Sequence, residues 1–317
     1  MSDEIRLDMP FTGIASFLRA PICVDLGALD ADIAVLGVPT DEGSPFLPGS
    51  RFGPRGIREH SLRFVTGEDG YYDPLRGRRY LVDELANKRI VDVGDVDILP
   101  TNVERTFANI TEAVKAIRKR GAMLVALGGD HAITYPLVRG FAGPLHILHF
   151  DAHLDYMPFI HGLEYTNQHA FRQIRRLPSI ASLTQVGIRS IRNTERMMTD
   201  SIGDGNRVIT MTEFRANTRD HVVKSIPTGA DCYVSVDIDV LDLPLVPGCV
   251  SAEPEGMTYA ELRDTLAVIA RSTTVVGCDL VEVNPMLDVR TGVTSYLGAH
   301  TLIEFLGQIR EARSAPR

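Results

Sequence analysis

Short apolar runs, separated by amphipathic segments, recur along the chain. Three of these runs cover residues 123–127, 145–150 and 232–236. Runs of this length that are apolar throughout are typical of strands buried on both faces of a parallel sheet. The same pattern predicts further strands at residues 32–38, 90–93 and 274–281.

Helices are predicted between these strands. Apolar residues recur every three or four positions between Asn102 and Arg120, as in an amphipathic helix, and Gly121 ends it. Thr258 and Glu261 form a capping box that begins a helix reaching residue 270. A terminal helix is predicted over residues 302–312. The alternation indicates an α/β fold with a parallel sheet.

The domain organisation predicted from the sequence is simple. No linker, internal repeat or low-complexity stretch interrupts the chain of 317 residues. A chain of this length can bury a large core as one α/β domain. We therefore expect residues 1–317 to form a single domain, with residues 1–30 as an N-terminal extension.

Polar motifs follow three of the predicted strands. Gly128-Gly129-Asp130-His131 follows the first, residues 151–155 (Asp-Ala-His-Leu-Asp) follow the second, and residues 235–239 (Ser-Val-Asp-Ile-Asp) end the third. In open α/β sheets, ligands gather at the carboxyl ends of the strands. The side chains expected to converge there are His131, Asp151, His153, Asp155, Asp237 and Asp239.

This set of side chains predicts a metal site. Carboxylates and imidazoles suit divalent manganese, iron, cobalt, nickel and zinc. Four crowded carboxylates would repel one another, and two divalent cations would balance their charge. Alternate residues of an extended strand face the same side, so one carboxylate from each pair can bridge two ions. Such a pair of ions supplies hydroxide to an electrophilic carbon.

Each motif taken alone also has a structural interpretation. One such motif at a strand end is usually a turn or a helix cap, but the coincidence of three indicates metal binding. His146 and His149 lie within the same strand as one motif and are interpreted as packed or hydrogen-bonded rather than as ligands.

Composition and charge exclude several classes of function. A net charge of −8 leaves no basic surface for nucleic acid. No apolar run reaches 18 residues and no cleavable signal begins the chain, so neither membrane spanning nor export is expected. The four cysteines are far apart and lack metal-site spacing. Cys232 and Cys278 are expected in the core, and a cytoplasmic location is predicted.

The three motifs, in this order, resemble the signatures of the ureohydrolases, the arginase and agmatinase family. Residues 48–54 (Pro-Gly-Ser-Arg-Phe-Gly-Pro) with Ile57-Arg58, residues 92–95 and residues 282–285 (Glu-Val-Asn-Pro) match further segments of that family. The resemblance covers roughly residues 30 to 310. It implies a single-domain, three-layer arginase-like fold with a mostly parallel central sheet flanked by helices.

The resemblance also implies an activity and a cofactor. The family hydrolyses a guanidino group to urea and an amine at a dinuclear manganese centre, and nickel or zinc also suits these donors. By position, one ion would be held by His131, Asp151, Asp155 and Asp237. The other would be held by Asp151, His153, Asp237 and Asp239. Asp155 would also accept a hydrogen bond from the attacking hydroxide and pass its proton to the leaving amine, and Glu282 would pair with the guanidinium nitrogens.

One segment departs from the family pattern. The family places His-Gly-Ser/Thr after the second motif, and its histidine moves a proton. Matching Phe171-Arg172 to the common Phe-Arg puts Asn167 at the shuttle position and His169 where Ser or Thr normally stands. An amide cannot relay a proton as an imidazole does. We expect His169 to take the role, with His161 as a second candidate.

The substrate is predicted only as a class. Tyr156, with the apolar residues 157–159, follows the metal motif and does not suit a zwitterionic tail, which argues against arginine. Tyr156, Asn167, His169 and Glu282 are expected to contact the substrate. Agmatine is the default, and a guanidino acid, an alkylguanidine or a biguanide remains open. Arginines that could face a substrate carboxylate are Arg51, Arg55, Arg172 and Arg189.

Two rival classes remain as alternatives. A deacetylase-type amidohydrolase would need a different ligand set and a tyrosine in the site, and the intact motifs at 235–239 and 282–285 argue against it. The second alternative is a catalytically silent subunit that pairs with an active paralogue. The family resemblance implies a homo-oligomer, a trimer or a hexamer, and a hetero-oligomer with a paralogue is the alternative. The only other partner expected is the small guanidino substrate.

Overall fold

A central parallel sheet brings the ends of four neighbouring strands to one edge. The computed structural model describes residues 9–64 and 69–314. The strands are β1 (Ile33–Val38), β2 (Tyr71–Asp73), β3 (Arg78–Tyr80), β4 (Ile90–Asp95), β5 (Met123–Gly128), β6 (Leu145–Phe150), β7 (Ile180–Ile188), β8 (Arg207–Thr210), β9 (Asp231–Asp237) and β10 (Thr274–Val281). Within the described ranges, eight of them form one sheet in the order β4-β1-β5-β10-β9-β6-β7-β8, and β2 and β3 form a separate hairpin.

Every neighbouring pair in the large sheet is parallel. Its central strands are mostly apolar and are buried along nearly their whole length, as expected when helices cover both faces. The helices are α1 (Gly53–Ser61), α2 (Val82–Ala86), α3 (Val103–Lys119), α4 (Thr134–Val138), α5 (Ala170–Arg175), α6 (Glu195–Gly203), α7 (Met211–Ala216), α8 (Tyr259–Ser272) and α9 (Val293–Ser314).

Two hydrophobic clusters lie on opposite faces of the sheet. One contains side chains of α1, α8 and α9 and alternate residues of the strands. The other contains side chains of α3, α4 and α5 and the intervening strand residues. Cys232 and Cys278 are buried in the first cluster with free thiols, as predicted. The predicted three-layer α/β fold of a single domain is confirmed.

Most predicted elements are observed with small shifts at their ends. The strands at 145–150 and 274–281 have the predicted bounds. Asn102 caps α3 by accepting a hydrogen bond from the Arg105 backbone N–H, and the capping box of Thr258 and Glu261 begins α8. The terminal helix begins at Val293 rather than at residue 302. Its first turns contain small polar residues that are buried, so the hydrophobic pattern of the sequence does not reveal these turns.

A buried ion pair joins α1 to the edge of the sheet. Arg58 is 7% exposed, and its Nε and an Nη donate to the two carboxylate oxygens of Asp92 at 2.8 and 2.9 Å. The Phe17 backbone N–H donates to the same carboxylate at 2.8 Å. With backbone hydrogen bonds from Asp92 to Pro21 and from Cys23 to Asp92, this contact packs residues 17–23 of the predicted extension along β4. Residues 1–8 lie outside the described part. The motifs at 57–58 and 92–95 therefore hold the fold together.

None of the helices in the described residues is long and apolar enough to cross a membrane.

Candidate metal centre and substrate cavity

Four adjacent strands contribute the side chains of the candidate site. β5, β10, β9 and β6 are neighbours in the sheet, and each ends at the same edge. His131 follows β5, Glu282 follows β10, Asp237 ends β9, and Asp151 follows β6. The sheet order thus places residues far apart in sequence next to one another, as expected at the carboxyl edge of a parallel sheet.

His131 points into a ring of carboxylates. Its Nδ1 lies 3.0 Å from Asp151 Oδ2 and 3.2 Å from both Asp155 Oδ2 and Asp237 Oδ2. This buried nitrogen makes none of these contacts with hydrogen-bond geometry. This buried imidazole nitrogen and the three carboxylate oxygens are arranged like the ligands of one metal ion.

His153 forms a second set beside the first. Its Nδ1 lies 3.2 Å from Asp151 Oδ1 and 3.0 Å from Asp239 Oδ2. Asp239 Oδ2 is buried and accepts no hydrogen bond. Because Asp151 faces His131 with one oxygen and His153 with the other, its carboxylate can bridge two cations.

The electrostatics of the site indicate missing positive charge. Burial, followed by repulsion from Asp239 and Asp151, raises the pKa of Asp237 well above its usual range. Burial alone would lower the pKa of His131, but the carboxylates of Asp151, Asp155 and Asp237 raise it well above the usual value. The same competition raises the pKa of His153 to about 12. Buried carboxylates crowded in this way favour bound positive charge.

A buried hydrogen-bond network fixes the other side of the His131 ring. Its Nε2 lies 2.9 Å from Ser235 Oγ, and Ser235 Oγ donates to Asp279 Oδ1 at 2.6 Å. The hydroxyls of Thr134 and Tyr233 donate to Asp279 Oδ2 at 3.0 and 2.8 Å. Since Ser235 gives its proton to Asp279, it accepts from His131 Nε2–H, which leaves Nδ1 as the metal-binding nitrogen.

His149 is hydrogen-bonded within the core, as predicted. Its Nε2 lies 2.8 Å from Asp151 Oδ2, and its Nδ1 accepts a hydrogen bond from the Gln185 amide at 3.0 Å. Its ring stacks on Phe171 with centroids 3.5 Å apart. The Gln185 contact makes Nε2 the donor, so His149 orients the Asp151 carboxylate.

Backbone strain aims two of the acidic side chains. Asp155 and Glu282 have φ angles of 46° and 64°, in the left-handed region that non-glycine residues rarely adopt. Glu282 Oε1 accepts hydrogen bonds from the His131 backbone N–H at 2.9 Å and from the Asn167 amide at 3.2 Å. Burial raises the pKa of Glu282 to about 7, against the lowering effect of these two bonds.

A cavity of about 130 Å³ opens directly above the carboxylates. It is lined by Ser44, Pro45, Phe46, His153, Asp155, Met157, Asn167, Gln168, Arg192, Asn193, Met197, Asp237, Asp239, Val250, Ser251 and Glu282. The floor is acidic, and the walls are a mixture of apolar and polar side chains. A small cationic group fits this floor by charge and by size.

Two of the predicted substrate contacts are corrected by the structure. Tyr156 is fully buried, and its hydroxyl donates to Asp204 at 2.6 Å, outside the cavity wall. His169 is 2% exposed, lies 2.6 Å from the Thr166 hydroxyl through Nδ1, and stacks on Phe159. Because the loop turns into α5 at this point, Asn167 lines the cavity and His169 does not. His161 is also absent from the wall.

Three residues that the structure places in or beside the site received no role there from the sequence. Asp279 lies within β10, where it was read only as part of a strand. The Cys249 sulfur and one oxygen each of Asp237 and Asp239 lie within 4.8 Å of one another, and burial raises the pKa of this thiol well above its usual value. Arg192 lines the cavity. The one sequence feature that could have indicated these residues is their position, because each lies in or after a strand that ends at the site.

The donors present fit two divalent cations. The six predicted ligands are brought together, His131 Nδ1 and Asp239 Oδ2 are buried without hydrogen bonds, and the donor set is imidazole and carboxylate. Such donors suit hard or borderline divalent ions.

Comparisons with known proteins agree with this geometry. Residues 31–307 match the arginase family. The chain is 32% identical over 302 residues to the mitochondrial guanidino acid hydrolase of Homo sapiens, covering 93% of this chain and 82% of that protein. It is also 32% identical to the mitochondrial agmatinase of Gallus gallus, covering 93% and 85%. The solved structure of proclavaminate amidinohydrolase from Streptomyces clavuligerus superposes with a TM-score of 0.85 at 30% identity, covering 96% of this chain and 99% of that one.

Proposed function

The chain belongs to the arginase family, as its sequence motifs indicated, and is a hydrolase of amidino C–N bonds. We propose that it hydrolyses a guanidino compound to urea and an amine with two divalent metal ions, of which manganese is our first choice. Nickel and zinc suit the same donors. The single observation that carries the proposal is the double-sided Asp151 carboxylate, which faces His131 on one side and His153 on the other.

The residues divide into two ligand sets by their contacts. His131, Asp151, Asp155 and Asp237 would hold one ion, and Asp151, His153, Asp237 and Asp239 the other. When bound, the ions would supply hydroxide near neutral pH, which a resonance-stabilised guanidinium carbon requires. This assignment is supported by the short distances from His131 to Asp151, Asp155 and Asp237 and from His153 to Asp151 and Asp239. An oxygen of Asp237 and one of Asp239 lie within 4.8 Å of each other.

Glu282 would orient the substrate. Its Oε1 is held by the His131 backbone and by Asn167, so Oε2 is left to bind guanidinium N–H groups through charge-assisted hydrogen bonds. The strained backbone of Glu282 fixes this carboxylate above the acidic floor. Asn167, on the cavity wall, keeps Glu282 in place and does not itself move a proton.

We assign proton transfer to Asp155 rather than to His169. Asp155 lines the cavity beside the other carboxylates, whereas the His169 ring lies behind the wall. From this position Asp155 can take a proton from the nucleophile and deliver it to the departing amine.

A catalytically silent subunit is the less supported alternative. Such a protein would be expected to have lost donors, and all six predicted ligands are present and converge here. The complete donor set therefore favours an active enzyme.

The experiment is a product assay on protein loaded with manganese, nickel or zinc. We expect urea and the matching amine in equal amounts from a guanidino compound. Glu282→Gln should lower kcat/KM by about 100-fold or more, since a preorganised charge is lost, and should keep the metal content unchanged. Glu112→Gln, an exposed carboxylate on α3 that pairs only with Lys115 among the described residues, is the matched control. A wild-type rate in Glu282→Gln would contradict the role of Glu282, and absence of urea with every metal would contradict the proposed function.

A further inference from the structure

The cavity that holds the acidic side chains also carries one arginine in its lining. The carboxylates that line it are Asp155, Asp237, Asp239 and Glu282. Arg192 is the one arginine or lysine among the described lining residues. The floor takes metal ions and a guanidinium group, so Arg192 remains to meet the other end of the substrate.

Arg192 has little to hold it within the protein. It follows β7 on a turn in which its backbone N–H donates to Ser190 Oγ at 3.1 Å. Its side chain is 54% exposed, and Glu253 Oε1 lies 4.0 Å from Nη1, at the limit of an ion pair. That same oxygen accepts a much shorter hydrogen bond, 2.6 Å, from Ser190 Oγ. The Arg192 guanidinium is therefore available to a ligand.

The four arginines first considered for a substrate carboxylate are placed elsewhere. Arg189 donates to backbone carbonyls, including those of residues 239, 241 and 253. Arg172 binds the Tyr156 carbonyl and Asp200, and Arg51 pairs with Asp41. Arg55 lies beside a different pocket, under residues 10–15. None of these side chains lines the metal-site cavity.

We infer that Arg192 binds the carboxylate of a short linear guanidino acid, which makes this substrate class the preferred one. The inference rests on the proposed function and names the substrate of that same site. Glu253, outside the lining, shows how close Arg192 lies to the metal site, since its Oε1 is 4.0 Å from Arg192 Nη1 and 3.5 Å from Nε2 of His153. A chain of a few methylenes spans such a separation, and the apolar side chains of Met157, Met197 and Val250 line the same cavity.

The competing tails are disfavoured by charge. The ammonium group of agmatine would face Arg192, and like charges at this distance repel. The lining carboxylates would be engaged by the metal ions and the guanidinium, and Glu253, outside the lining, already accepts a hydrogen bond from Ser190 Oγ at 2.6 Å. An ammonium group is therefore matched less well than a carboxylate. The α-ammonium of arginine meets the same obstacle, while its carboxylate alone would be matched. The uncharged alkyl tail of an alkylguanidine is neither attracted nor repelled by Arg192.

The test compares substrates of equal chain length with the metal-loaded protein. 4-Guanidinobutanoate, butylguanidine and agmatine each carry four carbons on the guanidino group. The fourth carbon is a carboxylate carbon, a methyl group or a methylene that bears an ammonium group. We expect the wild type to favour the acid over both others by at least about tenfold in kcat/KM. In Arg192→Gln, the ratio of kcat/KM for the acid to that for butylguanidine should fall by about tenfold or more, mainly through KM. Arg192→Lys should restore part of the ratio, and Arg192→Glu should favour agmatine.

Arg196→Gln removes the same charge from the neighbouring helix and serves as the control. Its side chain is 68% exposed, pairs with Asp200 at 3.8 Å and lies outside the cavity. Its substrate ratio should equal that of the wild type.

The outcomes separate the inference from the proposed function. Turnover of butylguanidine with no preference for the acid, or a ratio unchanged in Arg192→Gln, overturns the inference and leaves the proposed function intact. If no guanidine is hydrolysed, the proposed function fails. Calorimetric titration of 4-guanidinobutanoate into metal-loaded wild type and Arg192→Gln then decides the inference. Binding weakened about tenfold in the variant supports it, and equal or absent binding overturns it.

Discussion

His131 is held from both edges of its ring, and this shows how single residues prepare the site. Ser235 and Asp279 fix Nε2, while three carboxylates face Nδ1. The ligand nitrogen is thus chosen before any metal arrives. Partners that orient ligands in this way commonly change metal affinity by 10- to 100-fold when they are removed.

Replacing Asp279 with Asn tests this role. The amide should disturb the hydroxyl contacts of Ser235, Thr134 and Tyr233, and so release the His131 ring. We predict metal affinity about 10- to 100-fold weaker, measured by competition with a chelator, and substrate KM at saturating metal little changed. Asp83→Asn, at an exposed position on α2, is the control. Unchanged metal affinity in Asp279→Asn would contradict the role of Asp279 in orienting His131.

The pH dependence of metal binding follows from the two histidines. The pKa of His153 is raised to about 12 and that of His131 well above its usual value, so both rings are protonated near neutral pH in the metal-free protein. Metal must displace these protons, and affinity should therefore increase with pH by roughly tenfold per pH unit for each proton released. Calorimetry in buffers of different ionisation enthalpy counts the protons. An affinity independent of pH between 6 and 8 would be inconsistent with this account.

For His169 we predict an effect on stability and not on catalysis. Burial lowers the pKa of its ring, which stacks on Phe159 behind the cavity wall. We expect His169→Asn to lower the melting temperature through lost packing and to leave the shape of the pH profile of kcat/KM unchanged. Loss of one limb of that profile, with recovery on adding imidazole, would restore His169 as the proton shuttle.

The residues that sequence could identify are those whose position follows from the strand pattern. The six ligands end or follow apolar runs, and parallel topology alone brings them together. Asp279 and Arg192 could not be found in this way. Asp279 acts through Ser235 on the neighbouring strand, 44 positions away in sequence. Arg192 lines the cavity together with residues from several other loops, and the sequence alone does not show which loops meet there.

At the level of elements, the strength of the hydrophobic signal decided which strands were predicted. β6 and β10 are apolar and were predicted with their observed bounds. β7 was not assigned because it carries Thr184 and Gln185, which are nevertheless fully buried, and Gln185 belongs to the His149 hydrogen-bond network. β8 is a four-residue edge strand, too short to show a period.

The Arg58–Asp92 pair predicts how α1 is attached to the sheet. Removing Arg58 leaves the Asp92 carboxylate buried without its partner, so Arg58→Ala should reduce the free energy of unfolding by about 3–5 kcal/mol. Arg55→Ala, on the exposed side of the same helix, should change it by less than about 0.5 kcal/mol. Denaturant unfolding measures both. Equal effects of the two substitutions would contradict a specific role for the buried pair.

For the whole molecule, one sheet edge combines the metal site, the guanidinium-binding carboxylate and the cationic rim. The fold places acidic groups at the floor of the cavity and Arg192 at its side, so a substrate with a positive head and a negative tail matches it best. A trimeric or hexameric assembly remains a prediction, which light scattering of the purified protein can check.

Titration of metal-free protein with Mn²⁺, followed by urea release from 4-guanidinobutanoate, tests the two-metal proposal most directly. Two ligand sets that share Asp151 and Asp237 predict that activity increases up to two equivalents of metal per chain and then stays constant. A plateau at one equivalent, or no urea at any loading with any of the three metals, would contradict it.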